Sequence, residues 1–394
     1  MKNNITGSSV YRFPPELWLQ ILQLVAFHPT ADEFASSIGT SSPFSWKGDN
    51  LTTYIGQEEV SELIKQRSTL AKVCRTWHPI ANALLWSHLR LSIGISRHSL
   101  EHVLKTIHSK PYLASIVKRL SICSQTGSYH GWEGHEASNE VELRRLLDHL
   151  TCLRVITYPS IYQLTGHLPG LHVASIYYGK HTGVRKSKPH FLRPSHVYHQ
   201  LRMLALDLNN MEIPHGLASF PLLETIHLTL THHYHAIYNL TRWSMPRLRF
   251  VSLKSTNSSI CESFLLAVKP TLEYLKIDLG MHERSLIRPR EVFPRLHSLF
   301  IPVGHGYLNT QYALGTIRHL IVAPQLHCVG FYDIYDDVAS YEIDNYMATA
   351  FESYPTVDTF HLQGSTPDGS LVSEKTTDDW RKRGVQIHGR PDNS

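Results

Sequence analysis

An apolar cadence recurs along most of the chain and limits what it can fold into: leucine, two residues, an apolar residue, one residue, another apolar residue. It is present at Leu201/Leu204/Leu206, Leu223/Ile226/Leu228, Leu248/Val251/Leu253, Leu272/Leu275/Ile277, Leu296/Leu299/Ile301 and Leu326/Val329/Phe331. Looser copies lie at Val117/Leu120/Ile122, Leu153/Ile156/Tyr158, Leu171/Ala174/Ile176 and Val357/Phe360/Leu362. From Leu201 to Leu296 successive copies start 22, 25, 24 and 24 residues apart. One short strand with its return segment cannot bury its own apolar face. Copies must therefore stack, and the same apolar positions must return in each.

A period in this range with an L-x-x-L-x-L core is the pattern of leucine-rich repeats. The expected fold class is α/β: a right-handed solenoid with parallel strands inside and helices outside. Helices are expected over 96–110 (Leu100, Val103, Leu104, Ile107), over 139–150 with Asn139 as its cap, over 259–269 and over 341–354. Pro221, Pro246, Pro270, Pro294, Pro324 and Pro355 precede the cadence by two or three residues and read as helix terminators. Side chains that alternate with the strand leucines should project from the concave face. Met203, Ala205, Thr225, Thr229, Ser252, Asp278 and Ser298 belong to that set. Asp207, His227, Phe250, Lys254, Tyr274, Lys276 and Phe300 are its candidates for holding a protein substrate.

Composition removes several functions. The net charge of +5 over 394 residues is too small and too dispersed to suggest nucleic acid. No run approaches 18 apolar residues and the first ten residues lack the apolar core of a signal peptide, so no membrane partner is expected. Five scattered cysteines without a C-x-x-C pair fit a reducing compartment, the cytoplasm or nucleus. Among 27 histidines the only dense cluster is His232-His233-x-His235, unframed by any metal motif, and no metal or cofactor is expected. There is no nucleophile elbow or phosphate-binding glycine loop, and Asp333-x-x-Asp336-Asp337 reads as a polar strand end, so no enzyme is expected. Residues 179–200 carry five lysines and arginines and no acid, which reads either as a solvated loop or as an anion-facing one.

The first ninety residues differ. Phe13-Pro14-Pro15-Glu16 opens a helical pattern with Leu17, Ile21, Leu24 and Val25, widened by Trp18 and Leu22. A second pattern over 68–85 carries Leu70, Val73, Cys74, Trp77, Ile80, Ala81, Leu84 and Leu85, with Pro79 expected to bend or split it. Phe13-Pro-Pro-Glu-Leu17-x-x-x-Ile21-x-x-Leu24, followed by Leu70-Ala-x-Val73-Cys74-Arg-x-Trp77-x-x-x-Ala81-x-x-Leu84-Leu85-Trp86, resembles the F-box. It is closest to the form heading F-box/leucine-rich-repeat-like proteins of mushroom-forming fungi. The tail, Trp380-x-x-Arg383-Gly384-Val385-x-Ile387, resembles their last strand.

That resemblance implies a non-catalytic receptor. An F-box docks onto the Skp-family adaptor of a cullin–RING (Skp–cullin–F-box) ubiquitin ligase, and the repeats hold a target for ubiquitin-dependent degradation. Phe13, Pro14, Pro15, Leu17, Ile21, Leu24, Val73, Cys74, Trp77 and Leu85 are the adaptor-binding candidates; Trp77 and Leu85 are expected in the module's core and Pro14, Pro15 and Leu17 at the partner. Two departures stand out: Phe13 replaces the usual leucine, and residues 28–67 replace a short turn. A fourfold longer flexible loop adds only about 1.2 kcal/mol of closure entropy. The expected division is a helical module over 11–90, interrupted at 28–67, and repeats over 91–390. The alternatives are a helical cap on the repeats and a binding scaffold with no ligase role.

Overall fold

The computed structural model describes residues 14, 17, 20–21, 65–66, 68–73, 75, 77–93, 97–124, 136–159, 170–177, 199–207, 218–230, 240–255, 258–279, 291–303, 314–315, 321–334, 338, 340–364 and 372–391. The chain divides into two compact units, Met1–Lys180 and His181–Ser394. Both are α/β.

In the first unit α1 (His78–Ser87) runs into β1 (His88–Ile93), followed by α2 (Arg97–Ser109), α3 (Tyr112–Ile116), β2 (Arg119–Ser124), α4 (Glu136–His149), β3 (Val155–Pro159) and β4 (Val173–Tyr177). The strands pair in chain order, β1-β2-β3-β4, all parallel. Val117, Leu120, Ile122, Leu153 and Ile156 are buried, as the cadence requires. Leu100 and Ile107 of α2, with Leu143, Leu146 and Leu147 of α4, bury the helical stripes where the two helices meet. His88 Nε2 and Ser121 Oγ, both buried, share a hydrogen bond of 3.0 Å between β1 and β2.

Pro79 marks a split in the second pattern: helical residues over 68–73 give way to turn residues Arg75 and Trp77, and Pro79 lies in the first turn of α1, where the missing N–H has no intrahelical partner to lose. Two local expectations are corrected. Asn139 does not cap α4, which begins three residues earlier at Glu136. Strand β1 was not anticipated, and the boundary drawn at 90–91 falls inside it. Its signal is a weaker copy of the cadence, Trp86-x-x-Leu89-x-Leu91.

The second unit contains β5 (Met203–Asp207), β6 (Thr225–Leu230), β7 (Phe250–Ser255), α5 (Ser258–Val268), β8 (Tyr274–Leu279), β9 (Glu291–Val292), β10 (Ser298–Pro302), β11 (Ile321–Val322), β12 (Cys328–Ile334), α6 (Ser340–Ser353), β13 (Thr359–Gly364), α7 (Glu374–Lys382) and β14 (Gln386–Pro391). Its main sheet is parallel in the order β5-β6-β7-β8-β10-β12-β13-β14; β9 and β11 pair separately. Register aligns the cadence across the strands. Leu204, Ile226, Val251, Leu275, Leu299, Val329, Phe360 and Ile387 form one row. The first seven are buried, and fully burying each apolar side chain contributes about 1.5–3 kcal/mol.

Pro270 and Pro355 follow helices as expected, α5 and α6, whereas Pro221, Pro246, Pro294 and Pro324 do not. In Phe220-Pro221-Leu222-Leu223 the Leu223 N–H donates to the Phe220 carbonyl at 3.2 Å. The same closure joins Leu248 to Met245, Leu296 to Phe293, Leu326 to Ala323 and Val357 to Tyr354. Proline thus occupies the second position of a four-residue turn, where its fixed φ is an advantage. Only Pro355 directly follows a helix in this set; Pro221, Pro246, Pro294 and Pro324 start turns after extended segments. Phe220, Met245, Phe293, Ala323 and Tyr354 are all buried, so the turn both reverses the chain and anchors it.

The residue after each leading leucine ties neighbouring copies together. The Arg202 carbonyl accepts from the Glu224 and Thr225 N–H groups, and that of Glu224 from Arg249 and Phe250. Arg249, Glu273, His297 and His327 carbonyls continue the pattern. Side chains follow the same line: Arg249 pairs with Glu273, and His327 lies 3.6 Å from Asp358. The hydrogen bond that Arg249 donates to the Glu273 carboxylate holds its guanidinium above its ordinary pKa.

Candidate functional site

The N-terminal candidates come first. Leu17 and Ile21 are helical and four residues apart, and the Leu17 N–H donates to the Pro14 carbonyl at 3.0 Å. Both side chains are open, at 42% and 39% exposure, and Val73 is open at 55%. Pro14 is exposed too. Helix α1 is apolar around most of its circumference, yet among its residues only Ala81 is buried; Ile80, Leu84, Leu85 and Trp86 are half-buried, as is Trp77 before it. A helix apolar all round normally lies inside a protein. Phe13, Pro15, Leu24 and Cys74 lie outside the described side chains, as does nearly all of the 28–67 segment.

The second candidate is the face of the main sheet opposite the leucine row. Alternation predicts exposed side chains all along it. Strands β5 and β6 depart from that: Met203, Ala205, Thr225 and His227 are buried along with the leucines, His227 at 7% exposure. His227 is therefore no longer a surface candidate, and neither is buried Ser298. Asp207, at the end of β5, is half-buried.

From β7 onward the face opens in part: Lys254 is exposed and Phe250, Tyr274, Lys276 and Phe300 are half-buried, while Ser298, Cys328 and Tyr332 stay buried. Phe250 and Tyr274 stack in parallel, centroids 4.4 Å apart and planes at 4°. Lys254 pairs with Asp278 at 3.1 Å, with the lysine well exposed. Lys276 places its ammonium 3.6 Å from the centroid of the Tyr332 ring, reaching across β10 to β12. Phe300 lies flat over Gly330, where any Cβ would collide with the ring. Beyond it His361 and His388, paired in register on β13 and β14, stack at 4.9 Å. All seven substrate candidates share this strand face and all but His227 are at least partly open, with Phe250, Tyr274, Lys276 and Phe300 closest together on β7, β8 and β10.

The structure adds Gly330, Tyr332, His361 and His388 to this face. Gly330 and His361 are legible in hindsight because they hold the same position within the cadence as Lys276 and Phe300, between its second and third apolar residues. Tyr332 lies one position beyond the third. Cys328, beside Ser298 on the same face, is buried, and burial pushes its thiol up to about 12. Among the described residues no group of three or more histidine, cysteine, aspartate or glutamate side chains could hold a metal ion. The cluster at His232, His233 and His235 and the basic stretch 179–198 fall outside the described residues. No helix among those described is long and apolar enough to cross a membrane.

No family profile matches this chain, and no curated protein resembles it closely enough to count as a match.

Proposed function

We propose that the chain is a substrate receptor of a cullin–RING ubiquitin ligase: an F-box over the N-terminal ninety residues docks to a Skp-family adaptor, and a right-handed leucine-rich-repeat solenoid holds the target protein. The observation that carries this reading is that Leu17, Ile21 and Val73 are each exposed, and that Ile80, Leu84, Leu85 and Trp86 of α1 stay half-open. These are the positions at which the sequence resembles an F-box, and an adaptor docking there would remove them from water. The in-register leucine rows with one strand per copy support the solenoid. The receptor itself performs no chemistry; ubiquitin transfer belongs to other subunits of the complex.

The test is co-purification of the full chain with a Skp-family adaptor. Replacing Pro14, Pro15 and Leu17 together by polar residues should abolish adaptor capture and leave the circular-dichroism spectrum unchanged. Absence of capture by the parent chain, or undiminished capture by the triple variant, would overturn the ligase reading in favour of a repeat scaffold that binds its partner without an adaptor.

A further inference from the structure

The residue after the leading apolar position of each copy lies at the edge where the chain enters its strand. In the second unit this line carries both signs of charge. Arg202 lies 3.9 Å from Glu224, Arg249 pairs with Glu273, and His327 lies 3.6 Å from Asp358. The first unit builds the same line with one sign only. There the Lys118 N–H donates to the Ser87 carbonyl, the Lys118 carbonyl accepts from the Arg154 and Val155 N–H groups, and the Arg154 carbonyl accepts from His172. Ser87, Lys118, Arg154 and His172 therefore hold one position in successive copies, and none of them is an acid.

Lys118 and Arg154 are both exposed, and His172 is half-buried. Neither the Lys118 nor the Arg154 side chain has a partner among the described residues, and Asp148, exposed near the end of α4, pairs with neither. Residues 86–93, 117–124, 153–159 and 171–177, which make up the four strands and their entries, contain no aspartate or glutamate. Strands lie about 4.8 Å apart, so two like charges stand side by side where the second unit alternates signs. Carboxylates supplied from outside would take the place that Glu224, Glu273 and Asp358 take there, each through a charge-assisted hydrogen bond. From Lys118 to His172 the line spans about 10 Å. That is too short, with two exposed cations, for a nucleic-acid backbone, which calls for a longer basic stripe. It fits a short acidic stretch of a protein.

We propose that the entry edge of the first unit's sheet binds a short run of consecutive acidic residues in a partner protein, with Lys118 and Arg154 each holding a carboxylate. The proposal adds a contact surface that the receptor reading does not call for, and rests on that reading only in assuming a protein partner.

Fluorescence anisotropy with the full chain tests it at neutral pH and low salt. The probe is a short fluorescein-labelled peptide of consecutive glutamates. A lysine peptide of the same length and a single-stranded oligonucleotide of the same charge are the comparisons. The glutamate peptide should bind, the oligonucleotide more weakly, and the lysine peptide not at all. Lys118→Glu combined with Arg154→Glu should weaken glutamate-peptide binding about tenfold or more, the loss of two charge-assisted contacts. Lys118→Gln with Arg154→Gln should weaken it less, and keeps the test valid if the double reversal fails to fold. Arg295→Glu with Lys375→Glu, an equal charge change at exposed positions of the second unit, should leave binding nearly unaltered. Absence of binding, equal binding of the lysine peptide, tighter binding of the oligonucleotide, or equal loss in the second-unit pair would overturn the proposal. Adaptor capture is read separately: intact capture with no peptide binding removes this inference alone, and peptide binding without capture removes the ligase role alone.

Discussion

Trp380 closes the second unit, and its removal should be among the most damaging single changes there. The indole is 3% exposed and meets Phe360 of β13 and Phe351 of α6 edge-on, at 5.4 and 5.6 Å between centroids. The Arg383 guanidinium lies 4.8 Å from the ring, and Nε1 donates to Asp344 Oδ1 at 2.8 Å. One side chain thus binds α7 to α6 and to the leucine row. Trp380→Ala removes a buried aromatic at a cost of about 3–5 kcal/mol, toward the upper end because two aromatic pairs go with it. Trp380→Phe keeps a ring and loses the indole donor, a hydrogen bond contributing about 1 kcal/mol net. The difference between the variants therefore separates packing from the Asp344 bond. Urea unfolding followed by circular dichroism gives both numbers, and amide hydrogen exchange should show β14 opening first in Trp380→Ala. A loss below about 1 kcal/mol for Trp380→Ala, or equal losses for the two variants, would refute the claim that this ring anchors the last strand.

Two glycines should respond to alanine for different reasons. Gly330→Ala must displace the Phe300 ring, an overpacking cost of about 1–3 kcal/mol by the same unfolding assay, with changed near-ultraviolet dichroism as the ring moves. Gly384 follows α7 with a left-handed φ of 81° and open space around it, so Gly384→Ala should cost about 1 kcal/mol from backbone strain alone, with no change in the aromatic spectrum. Exposed Cys152 should be alkylated in the native protein, whereas buried Cys328 should react only on unfolding, as peptide mass mapping will show. Because the folded Cys328 thiol is pushed up from 9.0 to about 12, the native state binds the extra proton in that interval. Its contribution to stability should be full below pH 9 and fall as the pH rises toward 12.

The sheet was legible because its period is a packing requirement: a leucine that must face the same neighbour in each copy cannot be replaced freely. Leu204, Val251, Leu275 and Leu299 could be assigned to one buried row before any coordinates, and the helices near 97–109, 258–268 and 340–353 followed from their apolar spacing. Pro221, Pro246, Pro294 and Pro324 were misread for a definable reason. Proline is equally compatible with ending a helix and with opening a turn, and only the i-to-i+3 bond from Leu223, Leu248, Leu296 and Leu326 distinguishes them. Helix α7 escaped notice because Glu374–Lys382 is almost wholly polar; its one buried side chain is Trp380, and its start is fixed by Ser373 accepting from the Thr376 N–H at 3.1 Å.

The opposite face was only half legible, and the reason lies in what alternation encodes. Period two states which side of the sheet a residue occupies, not whether that side meets water. Met203 and Ala205 on β5 are apolar at outward positions, and that is the signal of a strand buried on both faces. Phe250, Lys254 and Lys276 on β7 and β8 change the outward composition to aromatic and charged, and the face opens there. The same rule accounts for His227. Its polarity suggests a surface group, but its register neighbours are Ala205 and Ser252, small residues that let the face be covered, and it is buried with Ala205. Composition of the whole row, rather than the character of one side chain, therefore decides which stretch of such a sheet is free to meet a partner. By that rule the accessible stretch begins at β7, where outward positions first carry an aromatic and a cation, Phe250 and Lys254.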